Sequence, residues 1–456
     1  MAQVEYRSRI QFTRLMILYA ENSKMNFIKR IVFKTPLLFF LMCLLLAYGK
    51  DAWSLTGRAQ QIYENNSHAV FQIRVIDIKS QSKSVIGSGF RISNDGLFAT
   101  NFHVISDVID KPEQYRIEYF NGEQKEGDLV IQSIDVANDL AILKGGGSGR
   151  ISLRFGSSQL HQGADVYPMG NPLDIGMVIV EGTYNGLIGG DPYKQIILSA
   201  PLNPGMSGGP AFDSKGNIIG VNVAIRGNNL SYLVPIEYLL KLKENFEESG
   251  PQEDWTEIIQ EQVLKRYSYW VEKALDSDWS FENFGSLKIP QKLMDTETKC
   301  WGKSRPEDPK ENKFFFYGTK RCESYRHITL TSKLSTGFMG YAFSWMESES
   351  LNPLEFYRKY SQKYSSGIFF LNLSENDVTK FQCQNHFVKF ADHDWKAAYC
   401  VRRYKKYPKL YDLFLSFAVL VDSPRKYILQ MGLSGLDEPM SKRLLRKFLG
   451  SIQWNE

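Results

Sequence analysis

Ser207 stands between glycines in Asn203-Pro204-Gly205-Met206-Ser207-Gly208-Gly209-Pro210, just before a β-like run from Ala211 to Val223. Small residues let a chain turn tightly, expose a hydroxyl and aim main-chain N–H groups at the same point. The same string also reads as a plain Gly/Pro/Ser turn between strands. A hydroxyl attacks near neutral pH only when a histidine takes its proton and an acid fixes that histidine's tautomer. Of the histidines, His103 has the fitting context, at the end of Gly96-Leu97-Phe98-Ala99-Thr100-Asn101-Phe102, where its ring should emerge from a buried strand. Asp139 opens the apolar run Leu140-Ala141-Ile142-Leu143. Asp135 is the nearest competing acid, but no apolar run follows it.

The elements that must position these groups are short strands. Apolar runs at 69–76, 85–92, 97–100, 129–134, 140–143, 165–169, 196–198 and 218–223 are separated by Gly, Asn and Asp, including Asn94-Asp95-Gly96 and Asn121-Gly122. Strands so spaced predict an antiparallel barrel or sandwich. An amphipathic segment, Pro235 to Asn245, closes this region. From 251 to 276, Trp255, Ile258, Ile259, Val263, Tyr267, Trp270, Val271 and Leu275 recur at helical spacing, which predicts a connecting helix packed on one or both neighbours. Beyond 281, strand-like runs at 314–317, 329–334, 338–345, 387–390 and 413–421 accompany helical stretches at 352–364 and 439–452. That mixture predicts an α+β unit.

Three blocks in this order, Thr100-Asn101-Phe102-His103-Val104-Ile105, Asp139-Leu140-Ala141-Ile142-Leu143 and the octapeptide around Ser207, resemble the signatures of trypsin-like serine peptidases of the HtrA/Deg branch. Val166-Tyr167-Pro168-Met169-Gly170-Asn171-Pro172, Gly220 to Ile225 and Tyr232 to Pro235 resemble further blocks of that family, so the likeness covers roughly 59–245. The resemblance implies an all-β double six-stranded barrel with the site in the cleft between barrels, then a helical linker and the α+β C-terminal unit. It implies Ser207 as nucleophile, His103 as base and Asp139 as orienting acid, with the N–H groups of Gly205 and Ser207 as oxyanion hole. Asn222, Val223 and Ala224 would pair with the substrate backbone. Met206 stands where the family has Asn or Asp, and no carboxylate-binding loop of a PDZ module follows Ser249.

Composition bounds the setting. The chain has 456 residues, 43% hydrophobic and 23% charged, a globular balance with room for two or three domains. Lys29, Arg30 and Lys34 precede an apolar stretch unbroken from Pro36 to Tyr48, and Ala52-Trp53-Ser54 supplies small residues at the exit. This reads as a signal peptide over 1–54, with Met25 a candidate true start and an uncleaved anchor as the alternative. Without 1–54, the formal charge of +5 falls to zero, which excludes a general nucleic-acid binder. The remainder divides into −5 over 55–250 and +5 over 251–456.

Besides Cys43 there are Cys300, Cys322, Cys383 and Cys400. Four cysteines in an exported chain predict two disulfides with three connectivities; the sequence-local one, Cys300 with Cys322 and Cys383 with Cys400, is preferred. Cys383, His386, His393 and Cys400 form an alternative zinc set, but neither a metal nor a cofactor is expected.

The expected organisation is therefore a signal peptide at 1–54, a peptidase unit at 55–248, a helical linker at 249–280 and an α+β unit at 281–456. The expected function is exported serine endopeptidase, bacterial periplasmic or extracellular, with a polypeptide substrate and no membrane span after cleavage near Ser54. No acidic residue lies in the stretches 201–205, 222–224 and 230–233 expected to wall the specificity pocket, which argues against a Lys or Arg preference and for a small or medium apolar residue. The rival reading is a peptidase-fold chaperone or binding protein, with the C-terminal unit recognising an envelope component.

Overall fold

The computed structural model describes residues 55–455 apart from 147–152, 191, 224–229, 294–297, 306–314, 325–326 and 367–372. The expected signal peptide, Met25, the cleavage point and Ala224 lie outside the described residues. A helix, α1 (Leu55–Asn66), leads into the first barrel. Its strands are β1 (Val70–Asp77), β2 (Ser82–Arg91), β3 (Leu97–Thr100), β4 (Tyr115–Asn121), β5 (Gln124–Asp135) and β6 (Leu140–Gly145), closed in the order β1-β2-β3-β6-β5-β4. Closure leaves no edge to satisfy. Phe71, Phe98 and Tyr119 meet in its core with ring centroids 4.9 to 5.5 Å apart. Between β3 and β4 runs helix α2 (Phe102–Asp110). The sequence reading missed it: its residues are β-branched and apolar, and its buried face, Phe102, Val104, Ile105 and Ile109, decides in favour of helix.

The second barrel consists of β7 (Asp165–Gly170), β8 (Gly182–Ile188), β9 (Gln195–Ser199), β10 (Pro210–Asp213), β11 (Asn217–Val223) and β12 (Leu230–Pro235). It runs β8-β9-β12-β11-β10-β7 and closes where β8 pairs β7, with Gly182 opposite Val166. The run 211–223 is two strands rather than one. Asp213 Oδ1 accepts the N–H groups of Lys215 and Asn217, both at 2.8 Å, and turns the chain back on itself.

Two helices follow, α3 (Ile236–Ser249) and α4 (Trp255–Asp276). Asp254 caps α4 by accepting the Glu257 N–H at 3.0 Å. The C-terminal region is built on an antiparallel sheet of β13 (Thr298–Arg305), β14 (Phe316–Ser324), β15 (Met339–Glu347), β16 (Gln382–Phe390), β17 (His393–Arg403), β18 (Tyr411–Leu420) and β19 (Arg425–Leu436). The order is β13-β14-β15-β19-β18-β17-β16. Helix α5 (Pro353–Ser365) packs Phe356, Tyr360 and Tyr364 on one face, against Ala418 and Ile428. On the other face Leu415, Phe417, Leu429 and Met431 share a core with α4 and with α6 (Glu438–Gly450). The alternation of the two sets along β18 and β19 is the strand period of two, and both faces are covered. The stretch 329–334 is not a strand: only Ile328–Thr329 pairs, and Leu330 N–H bonds back to Leu334 O at 2.8 Å in a tight turn.

That second core does not stop at the sheet. It continues through Ile259, Val263 and Tyr267 of α4 to Phe102, Ile105 and Ile109 of α2, so the expected connecting helix packs on both neighbours. Disulfides join Cys300 to Cys322 across β13–β14 and Cys383 to Cys400 across β16–β17. The second consumes both thiols of the alternative zinc set, and no metal-holding cluster occurs among the described residues. Among the described residues, no helix is long and apolar enough to cross a membrane.

Candidate active site

The turn between β5 and β6 prepares the acid. Asp135 accepts the Asn138 N–H at 3.0 Å and the Asn138 amide at 2.8 Å, which folds the turn. Asp139 follows in the left-handed region, at φ 58°, a conformation that aspartate tolerates better than most residues. This aims its carboxylate at the first turn of α2. Oδ1 accepts the His103 backbone N–H at 2.8 Å and Oδ2 lies 2.7 Å from His103 Nδ1. The Asp139 carbonyl accepts from Phe102 N–H at 3.2 Å and from the Asn101 amide at 2.8 Å. A residue from another strand thus serves the unbonded donors at a helix start, where negative charge is favoured. Asp135, the competing acid, spends its carboxylate on Asn138.

His103 sits on that helical turn, not at the end of a strand as expected. Its side chain keeps 29% of its surface exposed. Burial pulls the imidazole pKa down, but the charge of Asp139 and its hydrogen bond outweigh burial and hold it above the ordinary 6.5.

The serine loop is fastened to the first barrel. Ser88 N–H donates to Ser207 O at 2.7 Å, and Ser88 Oγ donates to Gly205 O at 2.7 Å while accepting the Asn171 N–H at 2.9 Å. Gly208 has φ 86°, and a Cβ there would stand 2.2 Å from Ser88 O, 2.3 Å from Thr100 Oγ1 and 3.0 Å from Asn101 N. No side chain fits. The residue after Ser207 therefore lies against the segment that leads directly into His103. Gly205 has φ 99°, and a Cβ there would stand 2.3 Å from Asn171 O and 3.1 Å from Leu173 N. Pro204 O accepts the Leu173 N–H at 2.9 Å, so across a trans peptide the Gly205 N–H points away from Leu173.

Met206, which stands where the resembled family has Asn or Asp, is fully buried. It packs with Val166, Ile196, Leu198 and Leu233 in the second barrel's core, which explains its apolar character. Asn222 also departs from expectation. Its N–H donates to Gly209 O at 2.8 Å and its carbonyl accepts the Gly208 N–H at 2.9 Å. Its amide reaches Met169 O at 2.9 Å. Both backbone groups are spent on the serine loop, so Asn222 cannot extend a sheet with a substrate. Val223, half-buried and paired with Tyr232, borders the cleft instead.

A cavity of about 560 Å³ opens beside His103 and Asp139. Val223 and Tyr232 line it from the second barrel; Arg266, Tyr267, Lys299 and His327 line it from α4 and the C-terminal region. Sequence reasoning missed this wall. Tyr267 read only as part of a helical stripe, and nothing local marks Arg266, Lys299 or His327. The same region grips α2: Lys406 Nζ donates to Asp110 O at 2.9 Å and pairs with Asp110 Oδ1 at 3.0 Å, and Ser332 N–H donates to Asp107 Oδ1 at 2.9 Å.

Residues 87–221 match the model of the trypsin-like peptidase domain. The chain is 37% identical over 146 residues to a probable periplasmic serine endoprotease, DegP-like, of Brucella suis, covering 30% of this chain and 27% of that one. It is 34% identical over 194 residues to the DegP-like protein of Bartonella henselae, covering 40% and 37%. The crystal structure of Deg5 superposes with a TM-score of 0.38 at 26% identity, covering 43% of this chain and 97% of that one. The chain spans between 27% and 37% of the length of these two curated relatives.

Proposed function

We propose, from the premise that the chain carries a trypsin-like serine peptidase domain of the HtrA/Deg family, that it is an exported serine endopeptidase acting on polypeptides of the envelope or outside the cell. Ser207 attacks the peptide carbonyl, forming the C–O bond as His103 Nε2 takes its proton. Asp139 keeps the other ring nitrogen protonated and steadies the imidazolium. The N–H groups of Gly205 and Ser207 receive the oxyanion, where losing one donor costs about 2.7–4 kcal/mol in a comparable peptidase. The tetrahedral adduct collapses, the imidazolium hands its proton to the leaving amine, and water hydrolyses the acyl-enzyme by the same route.

The observation that carries this reading is the double contact between Asp139 and His103, at 2.7 and 2.8 Å, beside a serine loop that tolerates only glycine at 208. We take 55–248 as the peptidase unit, 249–280 as linker and 281–456 as a further unit. The periplasmic DegP-like relatives, a leader-like segment at 1–54 and two disulfides support the exported setting. Cleavage of unfolded casein by the mature protein, compared with Ser207→Ala, tests the assignment. Loss in the variant is expected; equal cleavage by both overturns Ser207 as nucleophile. A fluorophosphonate that labels no serine would favour the rival binding-protein reading.

A further inference from the structure

We propose that Asp174 is a positioning residue for the oxyanion hole: its carboxylate, gripped by β1 and β2 of the first barrel, holds the turn whose Leu173 N–H orients the peptide bearing the Gly205 N–H. This rests on the peptidase reading above and adds to it a residue outside the triad and the serine loop. The turn is strained. Leu173 and Asp174 follow one another in the left-handed region, at φ 52° and 62°. One non-glycine residue there is uncommon, and two in succession persist only where the surroundings impose them. Apolar packing does not impose this pair, because Leu173 is 64% exposed and Ile175 73%. Two bonds close the turn on itself, from Ile175 N–H to Pro172 O at 3.1 Å and from Gly176 N–H to Asn171 Oδ1 at 3.2 Å. A third leaves it, from Leu173 N–H to Pro204 O at 2.9 Å.

The Asp174 carboxylate fastens this turn to the first barrel. Gln72 and Arg74 stand two apart on β1 and so share a face of the strand. The Gln72 amide donates to Asp174 Oδ1 at 2.7 Å, Arg74 Nη2 lies 3.5 Å from the same oxygen, and Lys83 of β2 pairs with Oδ2. Gln72 and Arg74 are buried and brace each other, Arg74 Nε donating to Gln72 Oε1. Phe120 supports the Arg74 guanidinium, 3.8 Å from its ring centroid. Glu123 also reaches Arg74, at 3.8 Å, from a side chain 90% exposed, so Asp174 is the nearer and better sheltered acid. The bond from Lys83, and then that from Gln72, holds the Asp174 carboxyl below the ordinary 3.8, so it is ionised wherever His103 is free to act as a base. Bonds to an ionised acceptor are about twice as strong as neutral ones.

The contacts form one chain, from β1 and β2 through Asp174 to Leu173, from Leu173 to Pro204 O and, across a trans peptide, to the Gly205 N–H. Ser88 holds the other side of Gly205 through its carbonyl, at 2.7 Å, so the glycine is clamped from both sides by groups of the first barrel, one direct and one through Asp174. Without the carboxylate the left-handed pair can relax, and the 204–205 peptide loses the donor that orients it. Charge develops at the hole only in the transition state, so the loss should fall on kcat rather than KM.

The test measures kcat and KM on fluorescently labelled casein with residues 55–456, and amide exchange over 171–176 by mass spectrometry. Asp174→Ala should lower kcat about 10- to 100-fold, short of the 10²–10³ that outright loss of an oxyanion donor costs, with KM changed less than about twofold. Lys83→Met, at an exposed site, should lower kcat in the same direction. The double variant should be no slower than Asp174→Ala alone, because the two side chains act through one contact. Exchange at Leu173 should quicken in all three. Unchanged kcat in Asp174→Ala, unchanged exchange, a loss carried by KM, or additive effects of the two substitutions each overturn the proposal and leave the peptidase reading standing. A wild type that cleaves nothing and takes no fluorophosphonate at Ser207 fells the peptidase reading, and the oxyanion role of Asp174 with it.

Discussion

Asp139 touches residue 103 twice, and the two contacts act on different things. The bond to the backbone N–H fixes where the helix starts; the bond to Nδ1 fixes the ring's tautomer. Together they favour the protonated ring. Burial favours neutral imidazole, yet Asp139 raises the pKa beyond 6.5, so kcat/KM should climb with pH through a midpoint above that value. A raised pKa also means that the folded state holds the proton more tightly. That contribution to stability is complete below the unfolded value and lost as pH rises through the folded one. Asp139→Asn should move the midpoint down and lower kcat by about 10⁴-fold, as an orienting acid does when its tautomer control is lost. A pH–rate profile of both proteins checks this, and an unchanged midpoint would contradict the assignment. At this scale the sequence was informative because each block is local. Asp139, its turn and its apolar strand are adjacent, as are Ser207 and its glycines. The error at Asn222 had the opposite origin, since which partner takes a backbone N–H depends on a loop 13 residues earlier.

Among the elements, α2 is the most consequential. It begins at Phe102, one residue before the histidine, with an acid from β6's approach serving its first turn, and ends at Asp110, with Lys406 serving its last. Both ends follow the helix dipole, negative at the start and positive at the finish. Lys406→Met keeps most of the stem but removes the charge; it should destabilise the protein by about 0.3–1 kcal/mol. Amide exchange should quicken at 107–110, measured by mass spectrometry, and kcat should fall more than KM rises. No change in exchange would deny Lys406 this role. Strand positions were legible in the sequence because apolar runs broken by Gly, Asn and Asp mark barrel strands. The helix was not, because Phe102-His103-Val104-Ile105 carries β-branched residues that fit a strand equally well. Its geometry is imposed by the packing of Ile105 and Ile109 on residues far along the chain.

At the scale of the molecule, one apolar core runs from Phe98 and Phe102 through α4 to Leu429 and Met431. A barrel region and an α+β region that share a core do not unfold separately. Calorimetry of residues 55–456 should therefore show a single cooperative transition spanning both, and truncation after residue 248 should expose the face of α2 and lower the melting temperature of the barrels. Two well-separated transitions, or barrels that melt unchanged after truncation, would refute the shared core. The C-terminal contribution to the cleft was illegible in the sequence for a plain reason. Lys299 and His327 acquire meaning only when α4 and the sheet bring them beside His103, and no local pattern encodes that approach. The two disulfides could be anticipated in kind, since neighbouring strands bring Cys300 to Cys322 and Cys383 to Cys400 over short loops.

The grip of Lys406 on α2 also has a bearing on timing. The contact joins residues 296 positions apart, and a ribosome makes the chain from its N-terminus. The segment bearing His103 emerges early, but the cation that finishes its helix emerges 296 residues after Asp110. Until then both barrels can form around a helix whose far end is unfinished. The histidine's full anchorage is a property of the completed polypeptide, and a ribosome that stalls short of residue 406 yields a barrel pair lacking it.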